Sequence, residues 1–447
     1  MEFTTEELIF ATNAKVLKNN AQGKKFSIST DTRTINYDNV YIGLKGETFD
    51  GENFIPKALE AGAKAYFTTK GTVLDDADLV LQVEKPIIAY LQLAKLCLNK
   101  ISPKVIALTG SSGKTTTKEM LTSVCKQQFR TFSTPLNHNN EVGFCQTILS
   151  MPKDTQVLIL EMGMRGLGEI ELLSKYSNPD ITIITNVGTS HIGRLGSREN
   201  IAKAKCEICK YQKPNGCFIG HDSDLIKKTV EFNGEKIYFS IKDVEFQEKQ
   251  IGKTKFSYKD EIYQLNIEGD YNVENSLAVI ETGLKLGMEP EKINDGLKIY
   301  MPIEKRWQVE DIDGYKVIND SYNANPDSMK AALSTVLELY PNSVLVLGNM
   351  GELGQDEIYY HKQIGEFILN KLNENNNYVK IITVGDLAKE IAEIVKEKGI
   401  CAVSFDNNNQ AVEYIEKNIE KNSTIFLKAS RSMKFEEILN GLKGEKV

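Results

Sequence analysis

The chain has 447 residues, too many for one ordinary core, and a prior of about 150 residues per domain points to roughly three domains. Lys plus Arg is 54 and Asp plus Glu is 61, a net charge of −7, which argues against a dominant nucleic-acid or anionic-membrane surface and requires any anionic ligand to be held by local groups. No apolar run approaches the ~18 to 20 residues of a membrane span, Met1 to Glu7 lacks the basic and apolar regions of a signal peptide, and seven scattered cysteines fit reduced thiols, so a cytoplasmic protein is expected.

Residues 1 to about 100 pattern as a small α/β domain. Strand-like runs fall at Phe26–Ser29, Val40–Leu44, Ala65–Thr68 and Leu79–Val83, with helical patterns at Phe54–Ala61 and Ile87–Leu98. Two polar clusters lie between them, Ser29-Thr30-Asp31-Thr32-Arg33 and Lys45 to Gly51. Hydroxyls, a carboxylate and cations on turns suit a nucleotide sugar, although taken alone such clusters are usually solvated loops.

After Ile101-Ser102-Pro103 comes the stretch around which the rest is organised. The apolar run Val105–Leu108 breaks into Thr109-Gly110-Ser111-Ser112-Gly113-Lys114-Thr115-Thr116, which opens a helical segment. This is a phosphate cradle: glycines let backbone N–H groups approach a polyphosphate, the Lys114 ammonium reaches the terminal phosphates, and the Thr115 hydroxyl can ligate Mg²⁺. Leu108 stands where the full pattern has Gly, leaving the shorter T-G-x-x-G-K-T. Two further apolar runs end at Glu161 and at the loop Thr185 to His191. Ligands of open α/β sheets sit outside the carboxyl ends of strands, so Glu161 and His191 are expected beside the cradle, suited to Mg²⁺ ligation or general-base work.

The next helix carries Lys203 and Lys205 and the C-x-x-C of Cys206 and Cys209, read as ordinary thiols because no second pair follows. Gly216 to Glu268 reads as β-hairpins, and Gly269 to Ser276 opens a helix whose amides either meet an adenine edge or cap the helix. From about Trp307 a fresh α/β alternation begins, with strands at 316–318, 344–347, 380–384 and 425–427 and no G-x-G-x-x-G, so a dinucleotide is not expected. Its first strand ends in the rigid polar run Asn319 to Asp327, and the Asn-rich stretches 374–377 and 407–409 read as polar loops. The fold class expected is α/β in three domains: a central P-loop domain with a mostly parallel sheet (103–305), flanked by a small N-terminal α/β domain (1–102) and a C-terminal Rossmann-like domain (306–447).

Four segments carry a family resemblance: T-G-S-S-G-K-T-T-T-K-E-M (Thr109–Met120), N-H-N-N-E-V-G (Asn137–Gly143), L-E-M-G-M-R-G (Leu160–Gly166) and N-D-S-Y-N-A-N-P-D-S-M (Asn319–Met329). Together they resemble the Mur ligases, ATP-dependent amide-forming enzymes of peptidoglycan precursor synthesis, over essentially the whole chain. The last segment is the most specific, and it implies a ligase that joins D-alanyl-D-alanine to a UDP-N-acetylmuramoyl tripeptide through an acyl phosphate. The segment Leu427–Ser432 is similar to a late family segment, with Ala429 where Gly is usual.

The resemblance implies roles residue by residue. Gly110, Ser111, Ser112, Gly113, Lys114, Thr115 and Thr116 would hold the ATP phosphates, with Asn137 and Asn140 lining that side of the cleft. Thr115, Glu161 and His191 would hold Mg²⁺ together with Lys205, which matches the lysine that this family carbamylates with CO₂. Asn272, Asn275, Arg306, Asn323 and Asn325 would contact adenine, ribose and phosphate, Arg306 reaching across a hinge at Met301 to Arg306. Thr30, Asp31, Thr32, Arg33, Lys45 and Gly46 match the stretch that holds the UDP-sugar. Lys114, His191, Lys205 and Arg306 are the expected catalytic set, in a chain expected to be a monomer without nucleic-acid or membrane partners. Glu52 stands where the family commonly has His, which removes any contact attributed to an imidazole there. The rival readings are a sister ligase that adds a single amino acid to a UDP-muramoyl peptide or glutamate to a folate, and a catalytically silent nucleotide-binding scaffold.

Overall fold

A computed structural model describes residues 1–46, 48–303, 305–375 and 378–445. Among these residues the fold is mixed α/β, built on three six-stranded sheets and one three-stranded sheet. The first sheet has a parallel core, Lys25–Ser29, Asn39–Ile42, Ala65–Thr68 and Leu79–Gln82, closed at its edges by the antiparallel strands Glu2–Thr4 and Lys15–Asn19. Neither edge strand was expected from the sequence. Lys15–Asn19 has no buried residue, so no hydrophobic alternation marks it.

The central sheet is parallel throughout, in the order Glu235–Phe239, Cys217–His221, Ile181–Ile184, Lys104–Thr109, Val157–Glu161, Thr131–Ser133. Lys104–Thr109 lies in its interior and is buried on both faces, which is why it reads as an unbroken apolar run. Ile106 and Leu108 join one core while Val105 and Ala107 face the other, which they share with Phe3, Phe26 and Val40 of the first sheet. The expectation of hairpins over 216–268 needs correction. Cys217–His221 and Glu235–Phe239 are parallel strands of the central sheet, joined by the helix Asp224–Thr229 that Ser223 caps, and only 245–265 forms an antiparallel meander. Short alternating runs look the same in a hairpin and at a parallel edge, and the charged segment taken for a turn was a capped helix.

The last sheet orders Gln308–Ile312, Tyr315–Asn319, Thr424–Lys428, Val344–Gly348, Lys380–Val384, Ala402–Phe405, parallel except for the first strand. Two of the presumed Asn-rich loops differ. Glu374 and Asn375 end the helix Glu357–Asn375, with Asn376 and Asn377 outside the described residues, and Asn407 caps the helix Asn408–Asn418. Among the described residues no helix is long and apolar enough to cross a membrane.

Candidate active site

Strand Lys104–Thr109 ends at Gly110, and the helix Lys114–Cys125 begins after Gly113, whose φ of 79° is left-handed and favours glycine. The loop between is braced by the segment after the neighbouring strand. Asn186 accepts from Ser112 N–H at 2.9 Å, Thr185 Oγ1 donates to the Ser112 carbonyl at 2.6 Å, and Gly188 N–H donates to Ser111 Oγ at 2.8 Å. A Cβ on Gly110 would lie 1.8 Å from Thr185 Oγ1, so the turn admits no side chain there. A Cβ on Gly113 would lie 2.3 Å from Asn275 Oδ1, which places that asparagine directly against the cradle.

Lys114 donates to the Gly110 carbonyl at 2.8 Å. Burial pushes its pKa below the usual lysine value, the Glu161 carboxylate opposes that shift, and the Arg306 guanidinium adds to it. Thr115 Oγ1 donates to Glu161 Oε2 at 2.9 Å, and Asn139 Nδ2 to Glu161 Oε1 at 3.0 Å. Both Thr115 and Glu161 are buried. Asn139 was not singled out from the sequence, yet it is the asparagine of its segment that reaches Glu161. Asn140 caps the helix Glu141–Ser150 through Gly143 N–H, and Asn137 is exposed. Thr116 sits beside the Tyr300 hydroxyl.

His191 begins the short helix Ile192–Leu195 with a left-handed φ of 64°. Its Nδ1 lies 2.6 Å from Glu352 Oε2 of the last sheet, an ion-pair distance reached off the line of an ideal hydrogen bond. Lys205 is 1 % exposed while Lys203, on the opposite face, is exposed. Among the described residues no carboxylate pairs with Lys205. Burial first, and then the nearby Lys114 charge, lower its pKa well below the lysine range, which favours the neutral amine. Cys206 and Cys209 are buried thiols pushed up to about 12 by desolvation, so they stay protonated.

The last sheet meets the cradle through the loop before its helix Pro326–Leu339. Asn325 Nδ2 donates to Ser112 Oγ at 3.2 Å and to Ser190 Oγ at 2.5 Å, while its Oδ1 caps that helix through Ser328 N–H. Asp327 Oδ2 accepts from the backbone and hydroxyl of Thr189, both at 2.7 Å. Arg306 stacks its guanidinium 3.8 Å from the Tyr322 ring centroid, with Nε buried and without a hydrogen-bond partner among the described residues. Asn323 stands exposed in the same loop, whereas Asn272 is buried and donates to the Glu268 carbonyl at 2.7 Å.

Thr30, Asp31, Thr32, Arg33, Lys45 and Gly46 form a second group, which among the described residues makes no hydrogen bond or ion pair with the cradle. Asp31 pairs with Arg33 at 2.6 Å, and that guanidinium holds its carboxyl down at about 2. Thr30 sits beside the Tyr90 hydroxyl, the Lys45 backbone forms an isolated antiparallel β-bridge with Asp50, and Gly46 N–H donates to the Phe49 carbonyl at 2.9 Å. Glu52 turns inward instead. It is 7 % exposed and accepts from Thr68 Oγ1 and Thr69 N–H, each at 2.9 Å, so this carboxylate is spent on packing the loop.

A phosphate loop at the mouth of a parallel sheet, with a buried carboxylate on its Thr115 and a second α/β unit joined to it through Asn325, defines a nucleotide-dependent enzyme of the ligase type. Family descriptions match in three consecutive stretches: "Mur ligase family, catalytic domain" over 27–101, "Mur ligase middle domain" over 108–283 and "Mur ligase, glutamate ligase domain" over 305–431. The chain belongs to the Mur ligase family. It is 37% identical over 427 residues to the UDP-N-acetylmuramoyl-tripeptide--D-alanyl-D-alanine ligase of Bacillus subtilis (strain 168), covering 93% of this chain and 92% of that one. Among solved structures it is similar to MurF from Acinetobacter baumannii, with TM-score 0.90 and 28% identity, covering 100% of this chain and 99% of the other. It is also similar to the MurF ligase from Thermotoga maritima in complex with ADP, with TM-score 0.82 and 25% identity over 94% of this chain and 97% of that one.

Proposed function

We propose that this chain is an ATP-dependent ligase that joins D-alanyl-D-alanine to a UDP-N-acetylmuramoyl tripeptide, in peptidoglycan precursor synthesis. The observation that carries this reading is the braced cradle Gly110–Thr115, with Thr115 on Glu161 and Asn325 arriving from the other side. It stands in a chain whose likeness to ligases of that name runs nearly end to end. The tripeptide's terminal carboxylate takes the γ-phosphoryl group of ATP and ADP leaves. The dipeptide amine then attacks the acyl carbon, and the tetrahedral adduct expels phosphate with loss of one proton. Carboxylate is a poor acyl donor because its leaving group is oxide, and phosphorylation supplies a good one. Lys114 and Arg306 neutralise charge on the transferring phosphoryl group, and the backbone of 110–113 positions it.

The residues present fit a divalent cation. Thr115, Glu161 and His191 supply oxygen and nitrogen ligands, yet among the described residues no three His, Cys, Asp or Glu side chains gather into a metal site, so a further anionic oxygen is wanted. Lys205 fits that need: a buried, unpaired, neutral amine is the form that adds CO₂, and the carbamate carries a negative charge. Mg²⁺ held there would shield the phosphate charges. Of the remaining assignments, Asn275, placed against Gly113, suits the nucleotide, and Asn272, Asn323, Asn137 and Asn140 belong to the same cleft by family likeness. Thr30, Asp31, Thr32, Arg33, Lys45 and Gly46 suit the UDP-sugar. The units at 1–102, 103–305 and 306–447 are assigned to substrate, ATP and ligation, in a cytoplasmic monomer.

The test is phosphate release from ATP in the presence of UDP-muramoyl tripeptide, offering D-alanyl-D-alanine against single amino acids. Turnover with the dipeptide is expected. Turnover only with a single amino acid would transfer the chain to a sister ligase, and none with either would leave a nucleotide-binding scaffold.

A further inference from the structure

The loop Asn349–Gly354 follows strand Val344–Gly348 of the last sheet and presses on the turn that carries His191. Gly193 N–H donates to the Glu352 carbonyl at 3.1 Å. The two backbones are so close that a Cβ on Gly193 would lie 2.5 Å from Gly354 N, and one on Gly354 would lie 2.8 Å from Gly193 Cα. At the centre of this contact are two non-glycine residues in the left-handed region, His191 at φ 64° and Glu352 at φ 63°. Such residues persist where their surroundings over-determine them, and they cluster at functional sites. Here each backbone aims its side chain at the other, with Glu352 Oε2 2.6 Å from His191 Nδ1. Nδ1 is buried and, among the described residues, has no other polar partner.

The loop is rigid from behind. Buried His361 accepts the Met350 N–H on Nε2 at 2.9 Å and faces the Glu357 carbonyl with Nδ1 at 2.6 Å, an arrangement only the neutral Nδ1–H imidazole satisfies. Asn349 Oδ1 accepts from Leu387 and Ala388 N–H at 3.1 and 2.8 Å, and its carbonyl accepts from Ser430 N–H at 2.9 Å. A carboxylate on so firmly held a support sets the geometry of the ring it touches.

We propose that Glu352 is a positioning residue for His191: its carboxylate accepts from Nδ1–H and so keeps the proton on that nitrogen, leaves the Nε2 lone pair for a divalent cation at the phosphate cradle, and, being carried by the last sheet, completes that ligand only when this sheet is docked. The inference rests on the reading of His191 as a cation ligand. Imidazole ligands generally donate their second N–H to a carboxylate or carbonyl, and losing such a partner typically costs about 10- to 100-fold in metal affinity or activity. What is particular here is the origin of the partner: ligand and carboxylate sit on different sheets, so closure and cation binding are coupled through one contact.

The experiment titrates Mn²⁺ into the full chain with a non-hydrolysable ATP analogue and follows free Mn²⁺ by electron paramagnetic resonance. Glu352→Ala is expected to weaken Mn²⁺ binding by roughly 10- to 100-fold. Glu352→Gln, which keeps an acceptor for Nδ1–H, loses less, and it serves as the test variant if the alanine protein does not fold. The double variant with His191→Ala is expected to bind no more weakly than His191→Ala alone, because the carboxylate acts through that ring. Unchanged affinity in both Glu352 variants while His191→Ala weakens binding overturns this inference and spares the metal-site reading. So do fully additive losses in the double variant. Unchanged affinity in His191→Ala and Glu161→Gln alike overturns both.

Discussion

The phosphate cradle and the N-terminal loops are both polar, yet they are built in opposite ways. Around Gly110–Thr115 the polar contacts are internal and buried or half-buried: Thr115 on Glu161, Ser112 on Asn186, Ser111 on Gly188 and Ser190. Around Thr30–Arg33 and Lys45–Gly46 the charged groups face solvent, Arg33 with 83 % of its side chain exposed. A site that must steady charge during bond making benefits from donors fixed before the substrate arrives, because they then cost no reorganisation. A site that only recognises a soluble substrate can leave its cations open to solvent. Substitutions in the first region should therefore strike turnover, and those in the second should strike affinity.

The sharpest way to break that comparison is Lys114→Ala. Losing one transition-state charge partner costs about 3 to 4 kcal/mol, so turnover should fall at least ~100-fold with the thermal midpoint little changed. Steady-state phosphate release checks it, and near wild-type activity would remove Lys114 from the chemistry. Lys205→Ala should come next: activity is lost, bicarbonate does not restore it, and a small added carboxylic acid restores part by standing in for the carbamate. Rescue by bicarbonate, or no loss at all, would dismiss the carbamate.

Glu52→Ala tests the second region from its structural side. Removing this inward carboxylate strands the Thr68 hydroxyl and the Thr69 N–H, at a cost of about 1 to 3 kcal/mol in unfolding free energy. Urea denaturation should show that loss, while turnover at saturating substrate stays near wild type. A change in turnover without a change in stability would mean that Glu52 reaches the substrate after all.

The same contrast explains what was legible in the sequence. The cradle was readable because its physics is local: an apolar run, two glycines and Lys-Thr follow one another within a dozen residues, and the strand-end rule then places Glu161 and His191 nearby. The partners that arrive from far along the chain were not readable. Glu352 lies 161 positions after His191 in the chain, and nothing in G-N-M-G-E-L-G announces the contact. Asn139 was hidden for a different reason. Asn137, Asn139 and Asn140 are equivalent by composition, and only the turn after Thr134 decides which side chain caps a helix and which meets a carboxylate. Helix geometry put Lys203 and Lys205 on different faces, but family likeness alone chose Lys205, and its burial needed the fold. The N-terminal loops were legible only through family likeness, since exposed Thr, Asp, Arg and Lys on turns carry no pattern of their own.

Arg33→Ala is the gentlest probe and the one that separates recognition from chemistry. Its partner Asp31 titrates near 2 because the Arg33 side chain, and then the Arg33 backbone N–H, hydrogen-bond to the carboxylate. Without the guanidinium the carboxyl should move back toward its ordinary 3.8, which a carbon-detected NMR titration of the Asp31 side chain would register. A depressed carboxyl pKa stabilises the native state above the unfolded value and loses that contribution as pH falls toward the folded one, so any effect on stability lies between pH 3.8 and about 2. At neutral pH the thermal midpoint should not move, because exposed pairs contribute little. What should move is KM for the UDP-linked substrate, by a few-fold, about what one solvated charge contact supplies, with kcat and KM for ATP unchanged. A fall in kcat instead would mean that the exposed loops take part in bond making, and the division between a fixed chemical site and a loose recognition site would fail.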